Sequence, residues 1–180
     1  MRERKSGTIV YVGSIFAFLP CPGGAMYNST KAAGESLHET LQIELAPFNI
    51  RSIVLTAGLY RTGVCSNAPL PAHGFNQNYL EGTAVGPVMG LFSGIIADPE
   101  TNMPGDPTKF GERVVEVVDG TGYGSGLQKH GRVFTGRDSL EMAQKKIDIL
   151  NVDLEASRKI AASTDFDGHT GRGVAQVSDF

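Results

Sequence analysis

Residues 7–31 read G-T-I-V-Y-V-G-S-I-F-A-F-L-P-C-P-G-G-A-M-Y-N-S-T-K, and the fold turns on how they are parsed. Thr8 to Val12 form a β-branched run between Gly7 and Gly13 without polar alternation. Such a run predicts a strand buried on both faces, the habit of parallel sheets. Pro20, Pro22, Gly23 and Gly24 make a loop after it. A helix is predicted from about Ala25 to Ala46, with Ala33, Leu37, Leu41 and Leu45 as its apolar stripe. Pro47 and Asn49 stop it. Ile50 to Thr56 (I-R-S-I-V-L-T) then predicts a second strand ending at Ala57-Gly58. The unit is β-α-β, whose crossover is right-handed almost by rule.

Farther along, residues 63–106 are rich in Gly and Pro and poor in charge, with an apolar patch from Ala84 to Ala97. They read as a long lid or substrate loop. Asp106-Pro107 opens a helix with the stripe Phe110, Val114 and Val117, ending near Gly120. Gly120, Gly122, Gly124 and Gly126 punctuate the next loop, and Arg132 to Thr135 predict a short third strand. Asp138 with Glu141 resembles a capping arrangement. It is expected to start a long helix with Leu140, Ala143, Ile147, Leu150 and Leu154 apolar. The expected class is α/β, a parallel sheet of about three strands in the order β-α-β-α-β with flanking helices and a long C-terminal helix. Residues 1–165 are expected to form one domain. Within it lie a strand and helix segment (6–58), a substrate loop (63–106) and C-terminal helices (106–163), with 166–180 as a flexible tail.

Composition narrows the function. The chain has 180 residues, 41% hydrophobic and 19% charged, enough for a core. A net charge of -3 lacks the basic field that nucleic acid or an anionic membrane would require. No apolar run reaches the roughly 18–20 residues of a bilayer span. Cys21 and Cys65 match no disulfide framework or zinc spacing, and are read as inert loop residues. His38, His73, His130 and His169 fit no ligand pattern, so no metal is expected. Arg2, Arg4 and Lys5 before an apolar stretch to Leu19, then Gly23-Gly24-Ala25, imitate a secretory signal. The sequon Asn28-Ser29-Thr30 strengthens that imitation. The catalytic register described next makes the signal a decoy, and the expected location is cytoplasmic; a secreted protein cleaved after Ala25 is the competing reading.

Tyr27 and Lys31 lie one helical turn apart on one face. A free phenol titrates near 10 and is a poor acid-base group at neutral pH. An ammonium a few Å away favours the phenolate, bringing such a group toward the working range. Ser14 ends the first strand, where ligands of open parallel sheets gather, and can hydrogen-bond a carbonyl oxygen. The order is Ser14, a Pro/Gly loop, then Y-N-S-T-K at 27–31. That segment resembles the catalytic segment of the short-chain dehydrogenase/reductase family. A-G-L-Y-R-T at 57–62 resembles the family's Pro-Gly-x-Val-x-Thr element, and G-D-P-T-K-F at 105–110 the start of the helix after its substrate loop. The tail around Leu154-Glu155 and Thr164 to Asp167 is similar to filamentous-fungal members of the family, so the resemblance runs over about residues 6–167.

The resemblance implies a Rossmann-like sheet and hydride transfer between NADP or NAD, with NADP ahead, and a small-molecule carbonyl or alcohol. Tyr27 would exchange the proton, Lys31 would tune it and bind the nicotinamide ribose, and Ser14 would orient the carbonyl. Gly58, Tyr60 (through its backbone) and Thr62 would hold the nicotinamide carboxamide. A homo-oligomer is a further implication. The family's Thr-Gly-x-x-x-Gly-x-Gly unit has no counterpart, and G-T-G-Y-G-S-G at 120–126 follows a helix instead of a strand. The chain is therefore expected to be a C-terminal half with an uncovered sheet edge. A catalytically inactive remnant or interaction module stays open beside the oxidoreductase reading.

Overall fold

The computed structural model describes residues 1–67 and 73–168, which divide into a unit Met1–Ala143 and a second from Gln144. In the first, strands β1 (Gly7–Ser14), β2 (Ile50–Ala57) and β3 (Arg132–Thr135) form a parallel sheet in the order β1-β2-β3. Ser14 pairs with Ala57 and Ala57 with Thr135, so the three carboxyl ends finish level. The α/β class with a three-stranded parallel sheet is as expected.

β2 is central and carries the core. Ile53 and Leu55 pack with Val117 against Phe110, Val114, Leu127, Val133 and Val10. Helix α1 (Ala25–Leu45) crosses between β1 and β2. A 3-10 turn at Ala46–Phe48 with Pro47 ends it, and Asn49 follows in the left-handed region at φ 52°. β1 is the expected uncovered edge, so instead of being buried on both faces most of its residues are half-buried and Val12 is 44% exposed.

α1 also turns a different face inward. Leu37 is 57% exposed and Ala33 is exposed too, whereas the single buried residue of the helix is Glu35. Lys31, Gly34, Glu35, His38, Leu41 and Leu45 share the inward side. The cause lies in the partners. β1 and β2 offer Tyr11, Ser52 and Thr56 toward this helix: His38 Nδ1 bonds Ser52 Oγ at 2.9 Å and its ring stacks on Tyr11 at 4.7 Å. Gly34 makes room for the Tyr11 hydroxyl.

The stretch 63–106, expected as a loop, contains four helices among its described residues: α2 (Val64–Asn67), α3 (Gln77–Leu80), α4 (Val85–Ala97) and α5 (Pro99–Asn102). The apolar patch is α4 itself. Asn76 Oδ1 caps α3 by accepting from Asn78 N–H, Asp98 Oδ1 caps α5 by accepting from Thr101 N–H, and Thr83 Oγ1 accepts from Val85 N–H at the start of α4. α6 (Pro107–Asp119) matches its sequence signals, with Asp106 accepting from Thr108 and Lys109 N–H at 2.8 and 3.3 Å. Gly120 closes it at φ 70°.

α7 (Arg137–Ala162) begins one residue before the expected cap. Asp138 already lies inside its first turn, and its carboxylate leaves the helix to accept from Leu59 N–H at 2.6 Å. Ala143 is buried, whereas Leu140, Ile147, Leu150 and Leu154 of the expected stripe are exposed. In the second unit, Gln144–Asp148 and Arg158–Glu155 contacts link successive turns, and turns at 163–168 follow the helix. The rest of the expected tail, with His169, and the side chain of Cys65 lie outside the described residues. No described helix is long and apolar enough to cross a membrane.

Candidate functional site

Ser14 is the last residue of β1 and is 8% exposed. Its backbone N–H donates to Glu35 Oε1 at 3.1 Å, and its Oγ accepts from Phe16 N–H at 3.2 Å, capping the 3-10 turn Ile15–Ala17. An Oγ occupied as acceptor keeps its own proton to donate outward. The chain then reaches α1 through a pinned loop. Gly23 takes φ 85°, Gly24 N–H donates to Cys21 carbonyl, and Asn28 Nδ2 donates to Leu19 carbonyl at 3.2 Å. The sequon asparagine is thus a structural tie inside the first helical turns. Burial pushes the Cys21 thiol up.

Tyr27 sits in the first turn of α1 and is half-exposed. The Phe16 ring meets it edge-on with centroids 6.4 Å apart, which brings the turn after Ser14 against Tyr27. Lys31, one turn on, holds its Nζ 5.8 Å from the Tyr27 centroid and 5.4 Å from that of Tyr11. Its ammonium donates to the Val12 carbonyl at 3.0 Å. The Tyr11 phenol is raised by burial, then by the Glu35 carboxylate charge.

Gly58, Tyr60 and Thr62 follow the carboxyl end of β2, the end where Ser14 lies. Gly58 N–H continues the ladder to Thr135 carbonyl, and a Cβ there would overlap Asp138 Oδ1. Tyr60 bridges to Gly105, its ring packs 4.8 Å from Phe110, and burial raises its phenol. Thr62 N–H donates to the Tyr60 carbonyl, while its Oγ1 accepts from Val64 N–H at 3.4 Å. Helix α4 flanks the turn after Ser14: Phe92 lies 6.0 Å from Phe16, and Val85 and Met89 line the space at Gly23.

The site residues that the sequence left unmarked are Glu35 and Arg132. The Arg132 guanidinium pairs with Glu35 Oε2 at 2.5 Å and Glu39 Oε1 at 2.6 Å, donates to Thr56 Oγ1 at 2.8 Å, and lies 4.6 Å over the Phe18 ring. Burial works against its charge, but the Glu39 and Glu35 carboxylates outweigh it and hold the guanidinium above its ordinary range. A signal was present: Tyr27, Lys31, Glu35 and Glu39 recur every four residues on one helix face. The glycine loop after α6 is closed from within. Cβ atoms at Gly122 and Gly124 would run into the Glu116 carboxylate and backbone carbonyl. Among the described residues, no group of three His, Cys, Asp or Glu side chains is placed to hold a metal ion.

Residues 1–70 match the family model described as short chain dehydrogenase. Human "Dehydrogenase/reductase SDR family member 4" is 50% identical over 62 residues, 34% of this chain and 22% of that protein. A "Short-chain dehydrogenase" of Aspergillus ruber is 39% identical over 64 residues, 36% of this chain and 22% of that one. A solved short-chain dehydrogenase from Streptomyces avermitilis superposes with a TM-score of 0.69 at 30% identity, over 92% of this chain and 55% of that one. The matched segment therefore spans under a quarter of these curated relatives. Sequence likeness concentrates in the first 70 residues, a narrower span than the motifs at 105–110 and 154–167 suggest, whereas the structural likeness covers nearly the whole chain.

Proposed function

We propose that the chain, whose first 70 residues match the short chain dehydrogenase model, is a member of the short-chain dehydrogenase/reductase family and carries the Ser-Tyr-Lys half of an NAD(P)(H)-dependent oxidoreductase interconverting a carbonyl and an alcohol. The observation that supports this most is one junction. Lys31 faces the Tyr27 ring across a helical turn while its ammonium bonds the strand that ends in Ser14. In this reading Ser14 donates its hydroxyl proton to the substrate oxygen, and Tyr27 delivers or takes the proton at that oxygen. Lys31 uses one of its three N–H donors on Val12, which leaves donors for a ribose hydroxyl.

The cofactor, when bound, supplies the hydride. Lys31, the Tyr60 backbone and the Thr62 hydroxyl offer the donor set for its nicotinamide ribose and carboxamide. The glycines at 120–126 do not fit its pyrophosphate, because Glu116 fills the space a phosphate would need. Apolar α4 against the catalytic turn suits a small, largely apolar carbonyl compound.

The test is turnover of an α-diketone and an aromatic aldehyde with NADPH or NADH, comparing the natural chain with Tyr27→Phe. Loss of about a hundredfold or more in kcat with cofactor binding retained is expected; equal turnover overturns the assignment. A second reading, an inactive interaction module, is favoured by the half-exposed edge strand β1 and the closed glycine loop. Calorimetry separates the two: heat of NADPH or NADH binding excludes the module reading, and its absence excludes the enzyme reading for this chain.

A further inference from the structure

We infer that Glu35 and Arg132 are positioning residues that set Ser14 against the helix carrying Tyr27 and Lys31. The side chains of this ion pair are 4% and 17% exposed, so it is shielded from water. Removing two charges from water is costly, and a buried pair is no stability device in itself. Its geometry points to another use. One Glu35 oxygen faces the Ser14 N–H at 3.1 Å and the Thr56 hydroxyl at 3.5 Å, the tips of β1 and β2. The other faces Arg132, which opens β3 and also donates to Thr56 Oγ1 and to Glu39 one turn farther along α1. A single carboxylate thereby ties α1 to all three strands.

Gly13 shows how closely this is built, since a Cβ there would overlap Glu35 Oε1. Lys31 adds the parallel tie to Val12, two residues before Ser14. The relative placement of Ser14, Tyr27 and Lys31 thus rests on two polar ties from one helix face, and the first of them depends on Arg132. Without the guanidinium, Glu35 would be a buried anion with one backbone donor and one long hydroxyl contact. Ser14's role toward a carbonyl rests on the oxidoreductase reading; the latch itself does not.

Amide hydrogen exchange by NMR on the full chain tests the latch without any substrate. Glu35→Ala is expected to speed exchange at the Ser14 amide about tenfold or more, with Ile53 and Val54 in β2 within about twofold. Glu35→Gln keeps the shape and loses the charge, so a rise of about threefold at Ser14 is expected even where the alanine variant does not fold. Arg132→Lys keeps a cation and is expected to hold Ser14 exchange nearer the natural chain than Arg132→Met does. Unchanged Ser14 exchange in Glu35→Ala and Glu35→Gln, or an equal rise at Ser14, Ile53 and Val54, overturns the proposal. With NADPH and diacetyl as probes, Glu35→Gln should lower kcat about tenfold and leave KM for NADPH within about twofold. A selective Ser14 effect in a chain that turns over nothing keeps the latch and removes the oxidoreductase reading.

Discussion

Adding one methyl group at Gly13 should cost as much as a typical large-to-small core substitution, for a reason confined to one contact. A Cβ built on Gly13 would overlap Glu35 Oε1 and stand 2.9 Å from its Cδ. Elsewhere a glutamate tip would swing away at little cost, but this carboxylate is fastened by Ser14 N–H and Arg132. Moving it breaks at least one hydrogen bond to a charged group, worth about 1.5–3 kcal/mol. Forcing volume into a packed position adds about 1–3 kcal/mol when the neighbours cannot yield. Partial relaxation offsets some of both, so Gly13→Ala should destabilise the chain by about 2–4 kcal/mol.

A double-mutant cycle by urea denaturation isolates the cause. Once Glu35→Ala has emptied the space, Gly13→Ala should cost under about 0.5 kcal/mol, which leaves a coupling of about 2 kcal/mol or more. Gly90→Ala in α4, where nothing lies within 4 Å, is the control and should stabilise by about 0.5–1 kcal/mol through helix propensity. If Gly13→Ala costs the same with and without Glu35, the clash is not with the carboxylate. The account of the latch then loses its steric support.

Burial lowers the His38 imidazole below its ordinary 6.5. The unfolded chain therefore binds the extra proton first, and stability present above about pH 6.5 should fall as pH drops through the folded value. Urea midpoints between pH 7.5 and 5 should show that decline in the natural chain and a flatter one in His38→Gln. Asp138→Ala removes the acceptor of Leu59 N–H and should cost about 1.5–3 kcal/mol by the same measurement. Asp106→Ala uncaps α6 at Thr108 and Lys109, a loss of about 1 kcal/mol.

Local chemistry was readable in the chain, and tertiary choice was not. Asp106-Pro107 and Gly120 bracket α6 because a cap, a fixed φ and a left-handed residue each act within one turn. The strands at 7–14, 50–57 and 132–135 follow from β-branched runs between breakers. α4 was hidden because Gly86, Gly90, Gly94 and Pro87 look like loop residues, yet Pro87 falls in the first turn, where its missing N–H costs nothing. Asp138 reads as a cap by position, but Leu59 N–H, 79 residues away, takes its carboxylate. Of the candidate site, Ser14, Tyr27 and Lys31 could be picked out from a strand end, a Pro/Gly loop and a helical spacing, whereas Gly58, Tyr60 and Thr62 are named only through the family resemblance. Arg132 could not: a charged residue at the start of a short strand gives no hint of the helix it meets.

The inward face of α1 explains why the apolar stripe misled and what fixes this helix in register. Apolar packing is non-directional, so a helix held only by Leu and Ala can rotate or slide slightly at small cost. Hydrogen bonds weaken steeply with angle and distance, so a helix held by Lys31, Glu35 and His38 has one register that satisfies all three. Leu41 and Leu45 supply half-buried apolar surface at the far end, where position matters less. The Lys31 contact falls one turn from Tyr27, where, on the proposed oxidoreductase reading, an error of about 1 Å would be costly to proton transfer. A helix proposed to hold a phenol at a fixed place relative to Ser14 gains more from directional ties than from a greasier face. That difference is what a purely hydrophobic reading of 25–46 overlooks.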